Sequence, residues 1–119
     1  MRIQTKRVYD PPENSDGYRV LVDRLWPRGM KKESLPYDLW AQFLAPSTEA
    51  RKEFGHKAEN FPAFKARYLA ELDTNPEAAR FVQTVLRMDP SAITLLYAAK
   101  DPHVNHAVVL EEWLQQWLP

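Results

Sequence analysis

The sequence predicts an α/β fold, a small layered domain with a short, mainly parallel sheet flanked by helices. Three observations predict it. Short runs of strand-forming residues alternate with runs of helical period. The run from Ala92 to Ala99 is apolar at nearly every position, which suits a strand covered on both faces. The strands read at 18–23 and 93–99 are separated by several helices, so a parallel pair is natural there. A length of 119 residues fits one α/β domain over 1–119.

Residues 2–9 contain β-formers with partial alternation and read as the first strand. Asp10 to Gly17 is a loop, punctuated by Pro11, Pro12 and Gly17. It is short for a parallel crossover, which usually takes about a dozen residues or more. The first strand is therefore expected to pair antiparallel or to lie apart from the second. Residues 18–23 form the second strand, with Val20, Leu21 and Val22 unbroken by a polar residue. Pro27 cannot donate to a ladder and Gly29 permits a turn, so Leu25 to Gly29 leaves the sheet.

Residues 37–44, between Pro36 and Pro46, read as a short helix. Ser47 is an N-cap for the next one, which Gly55 ends. Phe64, Tyr68 and Leu72 share one face of a helix over 62–73. Asn75-Pro76 is an N-cap followed by proline at the first helical position, and Asp89-Pro90 closes that helix. After the strand at 93–99, Asp101 is read as the cap of a helix from Pro102 to about Leu118. Ala107, Leu110, Leu114 and Trp117 form its apolar stripe.

Composition excludes several classes. Hydrophobic residues make up 45% of the chain and aromatics 12%, enough for a core, so disorder throughout is excluded. There is no cysteine, hence no disulfide scaffold, thiolate nucleophile or Cys-ligated zinc. No apolar run approaches the length of a membrane span, and Met1 to Lys6 does not resemble a secretory leader. A soluble, cytoplasmic domain with no membrane partner is expected. Sixteen basic and sixteen acidic residues cancel, which speaks against a uniformly basic nucleic-acid binder. Residues 1–32 nevertheless hold eight of the bases and four acids, a local excess of four positive charges.

In open α/β sheets ligands bind beyond the carboxyl ends of the strands. The second strand ends at Asp23-Arg24, with Trp26 and Arg28 just beyond. The third ends at Lys100-Asp101, followed by His103, Asn105 and His106. If these strands are parallel, both groups face one cleft. Asp23-Arg24 reads alternatively as an ion pair at a strand end, Asp101 as a cap, Trp26 as a cover for the sheet edge, and His106 as a helical histidine packed beside Leu110. His103-x-x-His106 with Asp101 is a weak metal set, and neither metal nor cofactor is expected. His56 has no place assignable from sequence.

Several segments carry a family resemblance. They are Lys6 to Pro12, Asp16 to Gly29, Ala45-Pro46-Ser47, Phe54-Gly55-His56, Thr94 to Asp101 and Asn105 to Leu110. Together they resemble the YeaO-like proteins, the bacterial family of domain of unknown function 488. The resemblance covers nearly the whole chain and implies a small α/β domain without an assigned reaction. Longer members of the wider family carry Asp-Val-Arg at a strand end and Cys-His-Arg at the start of a late helix. Asp23-Arg24 and Asn105-His106 resemble these, with asparagine at the cysteine position, so thiol chemistry does not carry over.

The first functional reading is binding or processing of a small anionic, phosphate- or nucleotide-containing substrate. Arg24, Arg28 and Lys100 would hold the anion, with the N–H groups of His103, Val104 and Asn105 facing it. Asp23 and His106 would be the catalytic acid and base, Asn105 would orient by hydrogen bonding, and Trp26 would stack on a ring. No glycine-rich phosphate loop, Gly-x-Ser-x-Gly or dinucleotide fingerprint fixes a reaction. A nucleic-acid-binding accessory protein using the basic N-terminal third, and an interaction module without chemistry, are the alternatives.

Overall fold

Four strands, β1 (Arg2–Arg7), β2 (Tyr18–Leu21), β3 (Leu39–Trp40) and β4 (Ala92–Tyr97), form one sheet in the order β1-β4-β2-β3. Every neighbouring pair is parallel. The computed structural model describes all residues, 1–119. Four helices, α1 (Thr48–Phe54), α2 (Phe61–Thr74), α3 (Pro76–Met88) and α4 (His106–Gln115), complete the fold. No helix is long and apolar enough to cross a membrane.

The expected parallel pairing of the second strand with the strand near 93–99 is present, in the register Val20 opposite Leu95. β1 lies apart from β2, with β4 between them, and is not antiparallel. The short connection after β1 thus crosses β4 with only a 3-10 turn at Asn14–Asp16 and no α-helix.

Two expectations are corrected. Residues 37–44 are not a helix. Asp38 N donates to Arg19 O and Ala41 N to Leu21 O, both at 2.8 Å, so Leu39 and Trp40 are drawn onto the free edge of β2 as a strand. Only afterwards does the chain tighten into a 3-10 turn at Gln42–Leu44. A lone helix of eight residues had too few internal bonds to compete with that ladder. The last helix begins at His106 rather than Pro102, and its N-cap is Asn105, whose Oδ1 accepts from Val108 N at 3.0 Å. Asp101 instead folds a turn on itself, accepting from His103 N at 2.8 Å and Val104 N at 3.1 Å. Ser47, Gly55 and Asn75-Pro76 behave as expected. Ser47 accepts from Ala50 N, Gly55 ends α1 in the left-handed conformation, and Asn75 accepts from Glu77 N.

The two sheet faces are covered differently. Val20, Ile93, Leu95 and Tyr97 point to the helical side, where they join Phe54, Phe64, Tyr68, Phe81, Leu110 and Trp113 in the main core. On the other face Leu21 and Leu96 join Val8 and Leu35 in a small cluster under Trp26 and Trp40. No helix contributes to that cluster, and the chain between β2 and β3 is its roof.

The amino half of the same face is polar. Gln4, Thr94 and Arg19 stand in one row across β1, β4 and β2. Asp16, only 1% exposed, sits over them. Its carboxylate accepts from Lys6 Nζ at 3.0 Å, from Glu13 N at 3.0 Å and from the Arg19 guanidinium. Its carbonyl accepts from Thr94 Oγ1 at 2.7 Å. Gly17 follows with φ of 65°, and a Cβ there would stand 2.4 Å from Ala92 O. This close approach lets the short connection lie flat across β4.

Burial alone would raise the Asp16 carboxyl. The Glu13 amide and the Lys6 and Arg19 cations outweigh it and hold the carboxyl below its ordinary value of 3.8. A lowered folded value stabilises the protein above the unfolded value, and that stability is lost as pH falls below about 3.8 towards the folded value. Asp16→Ala leaves two cations without their shared partner and is expected to cost on the order of 3 kcal/mol in urea denaturation. Asp16→Asn should flatten the acid limb of stability measured between pH 5 and pH 2, by removing this titration.

Candidate functional site

β2 and β4 run in the same direction, so both release the chain at the same end of the sheet. Asp23 lies just past β2, and its Oδ2 accepts from Ala98 N at 3.0 Å, just past β4. Trp40 Nε1 donates to Asp23 O at 2.8 Å from the β3 side. Arg7, at the end of β1, donates through Nε to Ala99 O at 2.9 Å. Bonds from β1, β2 and β3 thus converge on the strand ends and make them a fixed floor.

His106, the first residue of α4, reaches the same floor. Its Nε2 lies 3.2 Å from Val22 O, and since a carbonyl only accepts, Nε2 carries the hydrogen. The same nitrogen is 3.0 Å from Asp23 Oδ1. Oδ1 is buried without a hydrogen bond, so this approach is a charge contact, effective as an ion pair only when the ring is cationic. Nδ1 is the ring nitrogen left to accept a proton or a ligand donor.

A cleft of about 760 Å³ opens above the floor, within the range of about 300–1,000 Å³ usual for small-ligand sites. Asp23, Arg24, Trp26, Arg28, Lys100, Asp101, Asn105 and His106 all line it. The structure therefore brings these eight candidates to one cavity, while His103 does not line it. Their chemical circumstances differ. The side chains of Arg24, Arg28 and Lys100 make no hydrogen bond or ion pair within the protein, although Tyr9 Oη donates to Arg28 O and Gln42 Nε2 to Arg24 O, fixing the loop backbone. Trp26 is partly buried, edge-on to Tyr37 and Trp40 at 5.8 and 5.5 Å, and its Nε1 donates to Met30 O. It roofs the small cluster while presenting part of its surface to the cleft.

Asn105 is buried and fully engaged, with Oδ1 on Val108 N and Nδ2 donating to Asp101 O at 2.8 Å. The N–H groups of His103 and Val104, expected to face an anion, are held by Asp101. His103 lies in a separate, outer cavity with Lys6, Arg7 and Glu111, so it does not join His106 in one site.

Arg51, Phe54, His56 and Phe64 also line the cleft and were not assigned from the sequence. Phe54 stacks on Phe64 at 4.5 Å between ring centres. The segment Phe54-Gly55-His56 was among those carrying the family resemblance, but nothing in its spacing placed it at the strand ends. The basic N-terminal third also divides in three dimensions. Lys6 and Arg19 pair with Asp16, Arg2 donates to Ser15 O, and Arg7 binds backbone at Ala98 and Ala99. The run 24–32 keeps Arg24, Arg28, Lys31 and Lys32 with no acid among them.

No hydroxyl or thiol lines the cleft. Its ionic inventory is Arg24, Arg28, Arg51 and Lys100 against Asp23 and Asp101, with two histidines. Such a set carries more cations than carboxylates, with imidazole beside them, but it presents neither serine, threonine nor cysteine as a nucleophile.

A parallel α/β domain with a cation-rich cleft beyond its strand ends is the class that fold and site define. Within that class the chain belongs to the DUF488 family, matching over residues 2–119 the group described as "Inactive DUF488-N3 subclade". It is 49% identical to Uncharacterized protein YeaO of Escherichia coli (strain K12) over 115 residues, covering 97% of this chain and 98% of the relative. It is 35% identical to Uncharacterized protein Rv3073c of Mycobacterium tuberculosis (strain ATCC 25618 / H37Rv) over 113 residues, covering 95% of this chain and 93% of that relative. No solved structure matches the chain.

Asn105→Ala removes a cap and leaves Val108 N and Asp101 O unpaired, so a loss of about 1–2 kcal/mol is expected in urea denaturation. Asn105→Asp, which keeps the capping oxygen, should lose less than the alanine form in the same measurement.

Proposed function

We propose that this protein binds a small anionic, phosphate-bearing ligand in the cleft at its strand ends and carries out no covalent chemistry on it. The observation that carries this reading is the state of three cations. Arg24, Arg28 and Lys100 line the cleft without a carboxylate partner of their own. Protein cations of a structural kind are usually paired, as Lys6 and Arg19 are in this chain. Guanidinium groups suit phosphate oxygens because their donors form a planar fork.

The absence of a hydroxyl or thiol from the lining, and the engagement of Asn105 as a cap, support binding over catalysis. The family description as an inactive subclade fits the same reading. Asp23 and His106, the acid and base candidates, act in this reading as positioning groups. Asp23 ties the end of β2 to Ala98, and His106 ties the start of α4 to Val22 O.

A nucleic-acid backbone is the second reading, and the acid-free run from Arg24 to Lys32 favours it. The two readings separate on Lys31 and Lys32, which do not line the cleft.

Calorimetric titration with inorganic phosphate and mononucleotides tests the proposal. Binding should weaken with added salt and disappear in Arg24→Ala/Arg28→Ala. Lys31→Ala/Lys32→Ala should leave it unchanged. Equal binding by wild type and the arginine double variant would overturn the site. Tight oligonucleotide binding that falls with the lysine pair would favour the second reading.

A further inference from the structure

The cleft also has an apolar lining that an inorganic anion would not use. Phe54, Phe64, Pro46 and Val104 form this wall, and Arg51 enters among them from α1. Two helix contacts fix that wall. Ser47, the cap of α1, donates through Oγ and its backbone N to Glu71 of α2, and Phe54 of α1 stacks on Phe64 of α2. Arg51 is held only loosely by comparison. Its one side-chain hydrogen bond is from Nη2 to Thr48 Oγ1 at 3.4 Å, and its buried Nε has no partner. Arginine keeps its charge under all ordinary conditions and cannot relieve a buried donor by losing a proton.

Arg51 lines the cleft with no carboxylate partner, so its guanidinium can take an acidic group that arrives with the ligand. We infer that the ligand carries two acidic groups separated by a flat apolar body of about one ring. One acidic group would meet Arg24, Arg28 and Lys100. The ring would lie along Phe54 and Phe64, and the second acidic group would meet Arg51. His56, next to the wall with its ring centre 5.7 Å from that of Phe54, borders this second subsite. This inference rests on the anion-binding reading and adds the ligand class and Arg51 as its specificity-determining residue.

Three probes test it by calorimetry: inorganic phosphate, phenyl phosphate and 4-carboxyphenyl phosphate. Phenyl phosphate should bind about tenfold tighter than phosphate, by burial of the ring. The carboxylate should add about another tenfold through a charge-assisted bond to Arg51. Arg51→Met should erase that second gain while phenyl phosphate affinity stays within about twofold, and Arg51→Gln is the substitute should the methionine form not fold. Phosphate binding that depends on Arg24 and Arg28 but gains nothing from the ring overturns this inference alone. So does a carboxylate gain that survives at position 51. Failure of all three probes to bind, or binding indifferent to Arg24 and Arg28, overturns the anion-binding reading and this inference with it.

Discussion

The carboxylate of Asp16 ties β1, β2 and the segment that crosses between them at a single buried point. β1 and β2 flank β4 and never touch, and the chain between them is too short to carry a helix across the sheet. It crosses as a loop with one 3-10 turn at Asn14–Asp16, and such a segment over a sheet must satisfy its own polar groups. Asp16 does this by taking Lys6 from β1, Arg19 from β2 and the Glu13 amide from its own turn. Gly17 then passes so close to Ala92 that no side chain fits. Buried ion pairs of this kind often add little net stability over apolar packing. Here they bridge β1 and β2 over β4, while the parallel ladder between β2 and β4 makes those two strands end together.

The site is a consequence of that adjacency. Asp23 and Ala98 meet because their strands are parallel neighbours in register, and His106 meets Val22 O because α4 starts above the same end. The loop after β2 then serves two purposes. Trp26 and Met30 roof the helix-free face of the sheet, while Arg24 and Arg28, on the same loop, line the cleft. Aromatic packing and the bonds to Arg24 O and Arg28 O fix the backbone of this loop, while its guanidinium groups stay unpaired. The cleft combines those cations with aromatic side chains from α1 and α2. It lacks a side-chain hydroxyl or thiol, and Asn105 at its edge is a helix cap.

Much of the fold was legible in the sequence because local signals and tertiary demands agreed. The apolar run at 92–97, the Ser47 and Asn75 caps, the Gly55 stop and the Phe64-Tyr68-Leu72 stripe each had a single physical reading. The failures fell where a local signal competed with a distant partner. Leu39-Trp40 lies in a segment that passes for a helical turn until the edge of β2 offers hydrogen bonds. Asp101 and Asn105 are both good caps, and the choice went to Asn105, whose buried carboxamide caps α4 and binds Asp101 O together. Of the site, Asp23, Arg24, Arg28, Lys100 and His106 could be brought to one cleft from strand polarity alone. Arg51 and Phe64 could not, because their place depends on how α1 and α2 cross the sheet.

By itself, then, the sequence determined most element types, though not the edge strand β3, together with the central strand, the polarity of the β2–β4 pair and the residues at their carboxyl ends. These follow from periodicity, capping chemistry and the rule that helical crossovers join parallel strands. Only the tertiary structure decided which charges are free. Eight bases stand in the first 32 residues, and half of them are taken by Asp16 and by backbone carbonyls. A side chain's charge is a local property, but whether that charge is neutralised depends on partners brought near by the fold, and for Lys6 and Arg19 that partner is placed by a loop crossing a third strand.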